Sequence, residues 1–213
     1  MHPMERWIQK TEIYKGPIFS VETGVVELDD GSTVERQVVR HQGSVGIVAI
    51  LDDGIIFVRQ PRIAVSKQVL EIPAGRIEKG EDPRIAALRE LAEETGYQAR
   101  KLIPGPEYYS SVGFLDEQVH LFLAIDLHPV KVDDRKERVI PDKKQEVKKD
   151  EGLSQLLLSV AEVEKKLGAH EFEDSKTIIG LQHALEYIKK RNLQSIAELY
   201  TAGMLTKTTN TIR

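Results

Sequence analysis

The segment from Gly75 to Tyr97, GRIEKGEDPRIAALRELAEETGY, most constrains what this chain can fold into. It contains the clearest helix signals of the sequence. Asp82 is a suitable N-cap, Pro83 suits the first helical position, and Gly96 suits the C-terminal stop. These signals predict a helix over residues 83–95.

The side chains of this helix separate into two faces at about 100° per residue. The face predicted to pack on the core is apolar: Ile85, Leu88, Leu91 and Ala92. The opposite face combines small and acidic residues: Ala86, Ala87, Glu90, Glu93 and Glu94. Side chains three or four residues apart are neighbours on a helix, and like charges repel there. The three carboxylates therefore predict a cation site, and hard oxygen donors favour Mg²⁺ or Mn²⁺ over zinc.

An acidic helix face alone is more typical of a solvated surface, but the spacing around these glutamates is specific. Gly75 is followed after five residues by Glu81, and after seven more by Arg89, in the run RELAEETGY. This spacing resembles the Nudix box, G-x5-E-x7-R-E-U-x-E-E-x-G-U, where U is apolar. Every fixed position matches, and only Tyr97 is aromatic where an aliphatic residue is usual.

The resemblance implies an α+β chain in which an α/β/α sandwich surrounds a mixed sheet. It also implies hydrolysis of a nucleoside diphosphate linked to another moiety, with Mg²⁺ or Mn²⁺ as cofactor. The metal ligands that it implies are Glu90, Glu94 and the carbonyl of Ala74. Catalytic roles are implied for Glu93, as a further ligand or an acid/base, and for Arg89, as an orienting residue. Two supporting roles complete the set, namely Glu81 orienting the site and Gly75 forming a turn that brings the carbonyl of Ala74 to the metal.

The segments flanking the box resemble the ADP-ribose pyrophosphatase branch of that superfamily. A Q-x-R segment and E-I-P-A-G precede the box here as QPR and EIPAG. The resemblance implies that ADP-ribose is cleaved to AMP and ribose 5-phosphate. Arg40 and Arg62 are candidates for binding the diphosphate or the base, with Glu117 as a weaker candidate for contacting a ribose or metal-bound water.

One marker of that branch departs from the usual pattern. Ser-Pro-Gly is usual about fifteen residues after the box, whereas this chain has Ser111-Val112-Gly113. Another nucleotide sugar, such as GDP-mannose, therefore remains an alternative substrate. A non-catalytic nucleotide sensor is the alternative of another class, although the complete set of box glutamates favours an enzyme.

The catalytic base is predicted in a charged segment over residues 129–152, where 15 of 24 residues are charged. Its composition predicts a mobile loop or an extended hairpin. Glu146, Asp150 and Glu151 are the candidates, and we select Glu151 because it lies nearest the following strand, LSQLLL. In so charged a segment, any single acid is more often a solvated one.

The chain as a whole divides into three predicted parts. Residues 1–43 form a small antiparallel sheet, with a hairpin turn at LDDGST, that dimerises and clamps the substrate, as the resemblance implies. Residues 44–195 form the hydrolase domain, and residues 196–213 form a C-terminal tail. A homodimer is expected on the same resemblance.

Composition restricts the remaining possibilities. The formal net charge is −4 and there is no cysteine, which excludes disulfides, thiol nucleophiles and cysteine metal sites. An acidic balance argues against binding to nucleic acid or to an anionic membrane surface. No apolar run approaches a membrane span, so we expect a cytoplasmic protein.

Overall fold

The computed structural model describes residues 5–52, 54–130, 147–148 and 153–201. A three-stranded antiparallel sheet opens the chain, in the order β1-β2-β3. Its strands are β1 (Glu5–Lys15), β2 (Phe19–Leu28) and β3 (Thr33–His41). The predicted hairpin at LDDGST joins β2 to β3, with Gly31 at φ 79°. This sheet confirms the predicted antiparallel N-terminal element.

A second sheet of eight strands follows within the described residues, with the order β10-β11-β5-β4-β9-β8; β6 pairs with β5, and β7 pairs with β4. Its strands are β4 (Ser44–Leu51), β5 (Gly54–Arg62), β6 (Lys67–Glu71), β7 (Ala74–Arg76), β8 (Tyr97–Tyr109), β9 (Gln118–Pro129), β10 (Val147–Lys148) and β11 (Ser154–Ser159). The pairing of β4 with β9 is parallel and the other pairings are antiparallel. The sheet is therefore mixed, as predicted.

Three helices in the described part of the chain cover this sheet: α1 (Pro83–Thr95), α2 (Val160–Gly168) and α3 (Ser175–Thr201). One hydrophobic cluster joins α1 to the sheet, and a second joins the sheet to α2 and α3. The helices thus lie on both faces, which confirms the α/β/α sandwich. A short 3₁₀ helix over Ile63–Val65 links β5 to β6.

The ends of α1 are those that the sequence predicts. The side chain of Asp82 accepts a hydrogen bond from the backbone of Arg84, and Pro83 is the first helical residue. Gly96 ends the helix with φ 75°, in the left-handed region where an L side chain is unfavourable. These local signals do not depend on the rest of the fold, which is why the bounds 83–95 are correct.

The face that α1 buries differs from the predicted one. Ile85 is 58% exposed, whereas Ala86 and Ala87 are completely buried. Leu91 is buried as predicted, and Thr95 joins the buried set. The alanines let the helix backbone approach the sheet closely, so they belong to the core and not to the acidic face. The predicted division of the chain at residues 43 and 195 remains a prediction. Among the described residues, no helix is long and apolar enough to span a membrane.

Candidate active site

The candidate site lies where α1 passes strand β7. A Cβ added to Gly75 would lie 1.9 Å from Cδ of Glu90, so the carboxylate occupies the space that any other side chain would need. The backbone N–H of the adjacent Ala74 donates a hydrogen bond of 2.9 Å to Oε2 of Glu94. Two of the three predicted metal ligands are therefore packed directly against the strand that carries the third.

Gly75 has a different structural reason from the predicted one. It lies within β7, paired with Val45 of β4, and does not form a turn. Its φ is not in the left-handed region that distinguishes glycine elsewhere in the described residues, for example Gly80. The requirement is the absence of a side chain, because Glu90 fills that space.

Burial makes the charged forms of both carboxylates unfavourable. It raises the pKa of Glu94 to about 7, and the neighbouring charge of Glu90 acts in the same direction. Burial also raises the pKa of Glu90, against the opposing effect of Arg89. A divalent cation would favour both charged forms, and carboxylate and carbonyl oxygens are the donors that Mg²⁺ accepts. The residues therefore fit a hard divalent cation.

The protein supplies few oxygen ligands for a cation at this site. Within the described residues, no group of three or more histidine, aspartate or glutamate side chains is close enough to hold a metal ion by itself. The predicted set contains two carboxylates and one main-chain carbonyl, so it does not require such a group. Magnesium sites of this kind are completed by water and by substrate phosphate oxygens.

Arg89 joins the acids of the box into one network. Its Nε and Nη2 donate to the two carboxylate oxygens of Glu81, both at 2.9 Å. Its Nη1 donates to Oε1 of Glu90 at 2.6 Å, and Nη2 also donates to the carbonyl of Arg76 at 3.0 Å. The bidentate bond with Arg89 lowers the pKa of Glu81 to about 2, and raises the pKa of Arg89 above its ordinary value. Arg89 thus holds Glu90 in place, and Glu81 holds Arg89.

Glu93 departs from the expectation that the three helix glutamates converge. Its side chain is 58% exposed, whereas that of Glu90 is only 14% exposed. Its carboxylate lies 3.5 Å from Nη1 of Arg89. The helix therefore turns Glu90 and Glu94 toward β7 and leaves Glu93 at the solvent side of the same arginine.

The residues of this site lie within a domain that is shared with known proteins. The family model described as the NUDIX domain matches residues 40–178, which include every element of the site described so far. The chain belongs to the Nudix family.

Individual relatives agree with this assignment. The chain is 37% identical to an ADP-ribose pyrophosphatase of Bacillus subtilis over 84% of this chain and 91% of the relative. It is 36% identical to a methanol dehydrogenase activator of Bacillus methanolicus, also over 84% of this chain and 91% of the relative. A solved structure of an ADP compounds hydrolase superposes with a TM-score of 0.69 at 23% identity, covering 89% of this chain and 96% of that chain. This last likeness shows that the fold is shared.

Arg62 lies near Glu94, one of the predicted metal ligands. Its positive charge acts on the carboxyl of Glu94 and opposes the rise in its pKa. The guanidinium forms a bidentate bond to Glu71, with Nε–Oε1 at 2.7 Å and Nη2–Oε2 at 2.8 Å. Glu71 was missed in the sequence, although an acid in the apolar strand VLEIPAG is a signal that indicates a buried ion pair.

Arg40 and Glu117 lie at the junction between the two sheets of the Nudix protein. Arg40 donates to Glu22 at 2.8 Å and to Asp116 at 3.1 Å. Glu117 accepts from the hydroxyls of Ser44 and Ser110, both at 2.7 Å. Arg40 therefore binds acids that fasten the N-terminal sheet to the loop before β9, and neither residue bonds to the carboxylates of α1. Glu151 lies outside the described residues, so its proposed role remains a prediction.

A cleft of about 270 Å³ opens beside Glu90, between the β1–β2 turn and the start of the Nudix box. Arg76, which the sequence did not single out, crosses this cleft and donates from Nη1 to the carbonyl of Pro17 at 3.0 Å. Its own carbonyl accepts from Arg89. The β1–β2 turn is thereby linked through Arg76 to Arg89, and Glu90 lines the cleft.

Proposed function

We propose that this protein hydrolyses the diphosphate bond of ADP-ribose, releasing AMP and ribose 5-phosphate, with Mg²⁺ as the cofactor and Mn²⁺ as a substitute. The observation that carries the proposal is the pair of partly buried carboxylates, Glu90 and Glu94, packed against Gly75 and Ala74. Two acids with raised pKa values beside a half-exposed arginine form a site for a cation and a phosphate together.

The substrate is proposed from the relatives and from Arg62. The relative from Bacillus subtilis that shares 37% identity is an ADP-ribose pyrophosphatase, and the alignment covers 91% of it. Arg62 places a guanidinium near Glu94, where a diphosphate bridging the cation needs a second positive charge. The Ser-Val-Gly sequence at residues 111–113 makes GDP-mannose the alternative to test.

Each charged group of the site has a proposed task. Glu90, Glu94 and the carbonyl of Ala74 hold the cation, which when bound polarises the phosphate and neutralises its developing charge. Water adds to one phosphorus while the bridging P–O bond breaks, so the leaving phosphate takes the bonding electron pair. Glu93, which is exposed beside Arg89, or Glu151 accepts the proton of the attacking water. Arg89 and Glu81 keep Glu90 oriented.

The test is hydrolysis by the purified protein, measured as released AMP or monophosphate, with ADP-ribose, GDP-mannose and other diphosphate-linked nucleotides compared at equal concentration. We expect ADP-ribose to give the highest kcat/KM and chelation by EDTA to abolish turnover. Glu94→Gln should lower kcat by about 1,000-fold or more, as loss of a group needed in the transition state does. Glu164→Gln, on the exposed face of α2, is the matched control and should retain full activity. A Glu94→Gln protein that turns over like the wild type would contradict the metal role.

A homodimer joined through the N-terminal sheet is proposed as the assembled form. Large apolar side chains of β1, β2 and their connecting turn are exposed in the single chain: Ile8, Ile13, Tyr14, Ile18 and Phe19. Such a group of exposed apolar residues is typical of an interaction surface. The absence of cysteine and the nucleotide substrate support a cytoplasmic location, which cell fractionation would test.

A further inference from the structure

Glu71, at the end of β6, is a carboxylate removed from solvent, with 2% of its side chain exposed. A buried charge is costly unless other charges and hydrogen bonds compensate it. Arg62 compensates it from one side with two hydrogen bonds, of 2.7 Å and 2.8 Å. Burial acts to raise the pKa of Glu71, but Arg62 and Lys176 together hold it below its ordinary value, so this carboxylate is ionised at neutral pH.

Lys176 compensates Glu71 from the other side. Its Nζ lies 2.5 Å from Oε2 of Glu71 and 2.8 Å from Oδ1 of Asp174, and only 16% of its side chain is exposed. Lys176 belongs to the first turn of α3, 105 residues from Glu71 in sequence. The buried carboxylate therefore has two cations, one from the site and one from the opposite layer of the sandwich.

The geometry of Arg62 follows from this arrangement. The bonds to Glu71 engage Nε and Nη2, so the plane of the guanidinium is fixed by two contacts rather than one. The remaining nitrogen, Nη1, has no hydrogen-bond partner among the residues that the structure describes. The side chain of Arg62 is 42% exposed, and its charge acts on the neighbouring Glu94.

We propose that Glu71, held from behind by Lys176, is the positioning residue that orients Arg62 so that its Nη1 edge binds the substrate diphosphate. The inference rests on the proposed function, because it assigns Arg62 to the diphosphate of that reaction. It adds a second layer to the site: α3 fixes Glu71, Glu71 fixes Arg62, and Arg62 meets the substrate. Neither Glu71 nor Lys176 touches the substrate.

A double-mutant cycle in the full-length protein tests this order. We expect Arg62→Met to raise KM for ADP-ribose about 10-fold or more with kcat changed less than about 3-fold, which is the pattern of lost ground-state binding. Glu71→Gln should raise KM to a similar extent, since one amide oxygen cannot accept the bidentate fork. The double variant should be no worse than Arg62→Met alone, because a residue that acts only through Arg62 has nothing left to position.

Three further variants keep the test decisive if Glu71→Gln does not fold. Arg62→Lys keeps the charge but removes the fork, and it should raise KM nearly as much as Arg62→Met while Glu71 stays compensated by both cations. Lys176→Met should raise KM for ADP-ribose. Lys176→Arg, which keeps a positive charge beside Glu71, should leave KM near the wild-type value. The matched control is Lys67→Met, which breaks the exposed 2.6 Å pair with Glu173 between β6 and the segment before α3, and should leave KM unchanged.

Binding of inorganic pyrophosphate with Mg²⁺, followed by calorimetry, repeats the cycle without turnover. Additive effects of Glu71→Gln and Arg62→Met on KM and on pyrophosphate affinity would overturn the positioning role. An Arg62→Lys protein that binds pyrophosphate like the wild type would overturn it as well. If the wild type cleaves no ADP-ribose, the proposed substrate is overturned. If Glu71→Gln and Arg62→Met still lower pyrophosphate affinity non-additively, the positioning role is supported independently of that substrate.

Discussion

Glu90 fills the space that a side chain at Gly75 would occupy, with Cδ only 1.9 Å from the position of an added Cβ. The two residues are 15 positions apart in sequence, yet neither can change without affecting the other. The missing side chain of Gly75 on the strand thus allows the carboxylate of Glu90 on the helix to lie next to Ala74.

We predict that Gly75→Ala inactivates the protein without unfolding it. The backbone conformation at residue 75 accepts alanine, so the methyl group is accommodated by displacing the carboxylate of Glu90. A fall in kcat of about 100-fold, corresponding to about 2.7 kcal/mol, is expected from the displaced ligand. Gly168→Ala at the end of α2 meets no atom within 4 Å and serves as the control. If Gly75→Ala binds Mg²⁺ as tightly as the wild type does, alanine at residue 75 does not displace Glu90 from the cation site.

The raised pKa of Glu94 predicts a specific dependence of stability on pH in the absence of metal. The pKa of Glu94 in the folded protein, about 7, lies above its ordinary value of 4.5. The protonated carboxyl therefore stabilises the folded state fully below pH 4.5, and this contribution is lost as pH rises through 7. The wild type should lose up to about 3 kcal/mol relative to Glu94→Gln across this range, an upper limit set by 1.36 kcal/mol per pKa unit. Urea unfolding in EDTA at pH 5 and pH 8 measures it, and parallel profiles for the two proteins would exclude the assignment.

We predict that Arg89→Lys impairs turnover although the positive charge is kept. Lysine cannot form the two-point bond to Glu81 while also reaching Glu90 and the carbonyl of Arg76. Glu90 would then lose its fixed orientation, and kcat should fall about 10- to 100-fold, equivalent to about 1.4 to 2.7 kcal/mol. Arg84→Lys, in the first turn of the same helix, is the comparison, and equal effects of the two changes would argue against a special role for Arg89.

Thr177→Val should weaken the anchor between α3 and the strand end that precedes the site. The hydroxyl of Thr177 accepts from the backbone of Ile72 at 3.0 Å, and it is completely buried. Valine leaves that N–H without its acceptor, so the free energy of unfolding should fall by about 1 to 3 kcal/mol. Chemical denaturation measures this loss. A variant as stable as the wild type would show that the bond contributes nothing to stability.

The proposed dimer predicts that Ile13→Lys produces a monomer. Ile13 is 61% exposed on β1, and a charge there would be buried in a joined interface. Light scattering after size-exclusion chromatography measures the mass. Ile85→Lys, at the similarly exposed position on α1, should leave the mass unchanged. A wild-type protein that is monomeric at micromolar concentration would remove the basis for the dimer.

Local sequence patterns were sufficient for several elements of the fold. The bounds of α1 and the hairpin before β3 agree with the prediction, and the Ser159-x-x-Glu162 spacing is a local capping signal of the same kind for α2. Ser159 accepts from Glu162 and Glu162 bonds back to Ser159, a reciprocal pair written into four consecutive residues. Such signals depend on neighbours in sequence, so they survive without knowledge of the tertiary fold.

The rotation of α1 could not be predicted in the same way. Helical periodicity separates faces, but the distance to the sheet decides which residues are buried. Ala86 and Ala87 became core because the helix lies close to the strands, and Ile85 was left exposed. For the same reason, Glu90 and Glu94 face β7 while Glu93 remains at the solvent side.

By itself the sequence determined the family, through the spacing from Gly75 to Tyr97, and it predicted Glu90 and Glu94 as metal ligands. That spacing carries this information because one strand, one turn and one helix are continuous in the chain. Only the tertiary structure decided that Glu71 holds Arg62 and that Lys176 holds Glu71. Arg62 is 9 residues from Glu71 in sequence, and Lys176 is 105 residues from it. The contacts exist because β5, β6 and α3 pack around the Glu71 carboxylate, whose burial is costly unless positive charges compensate it.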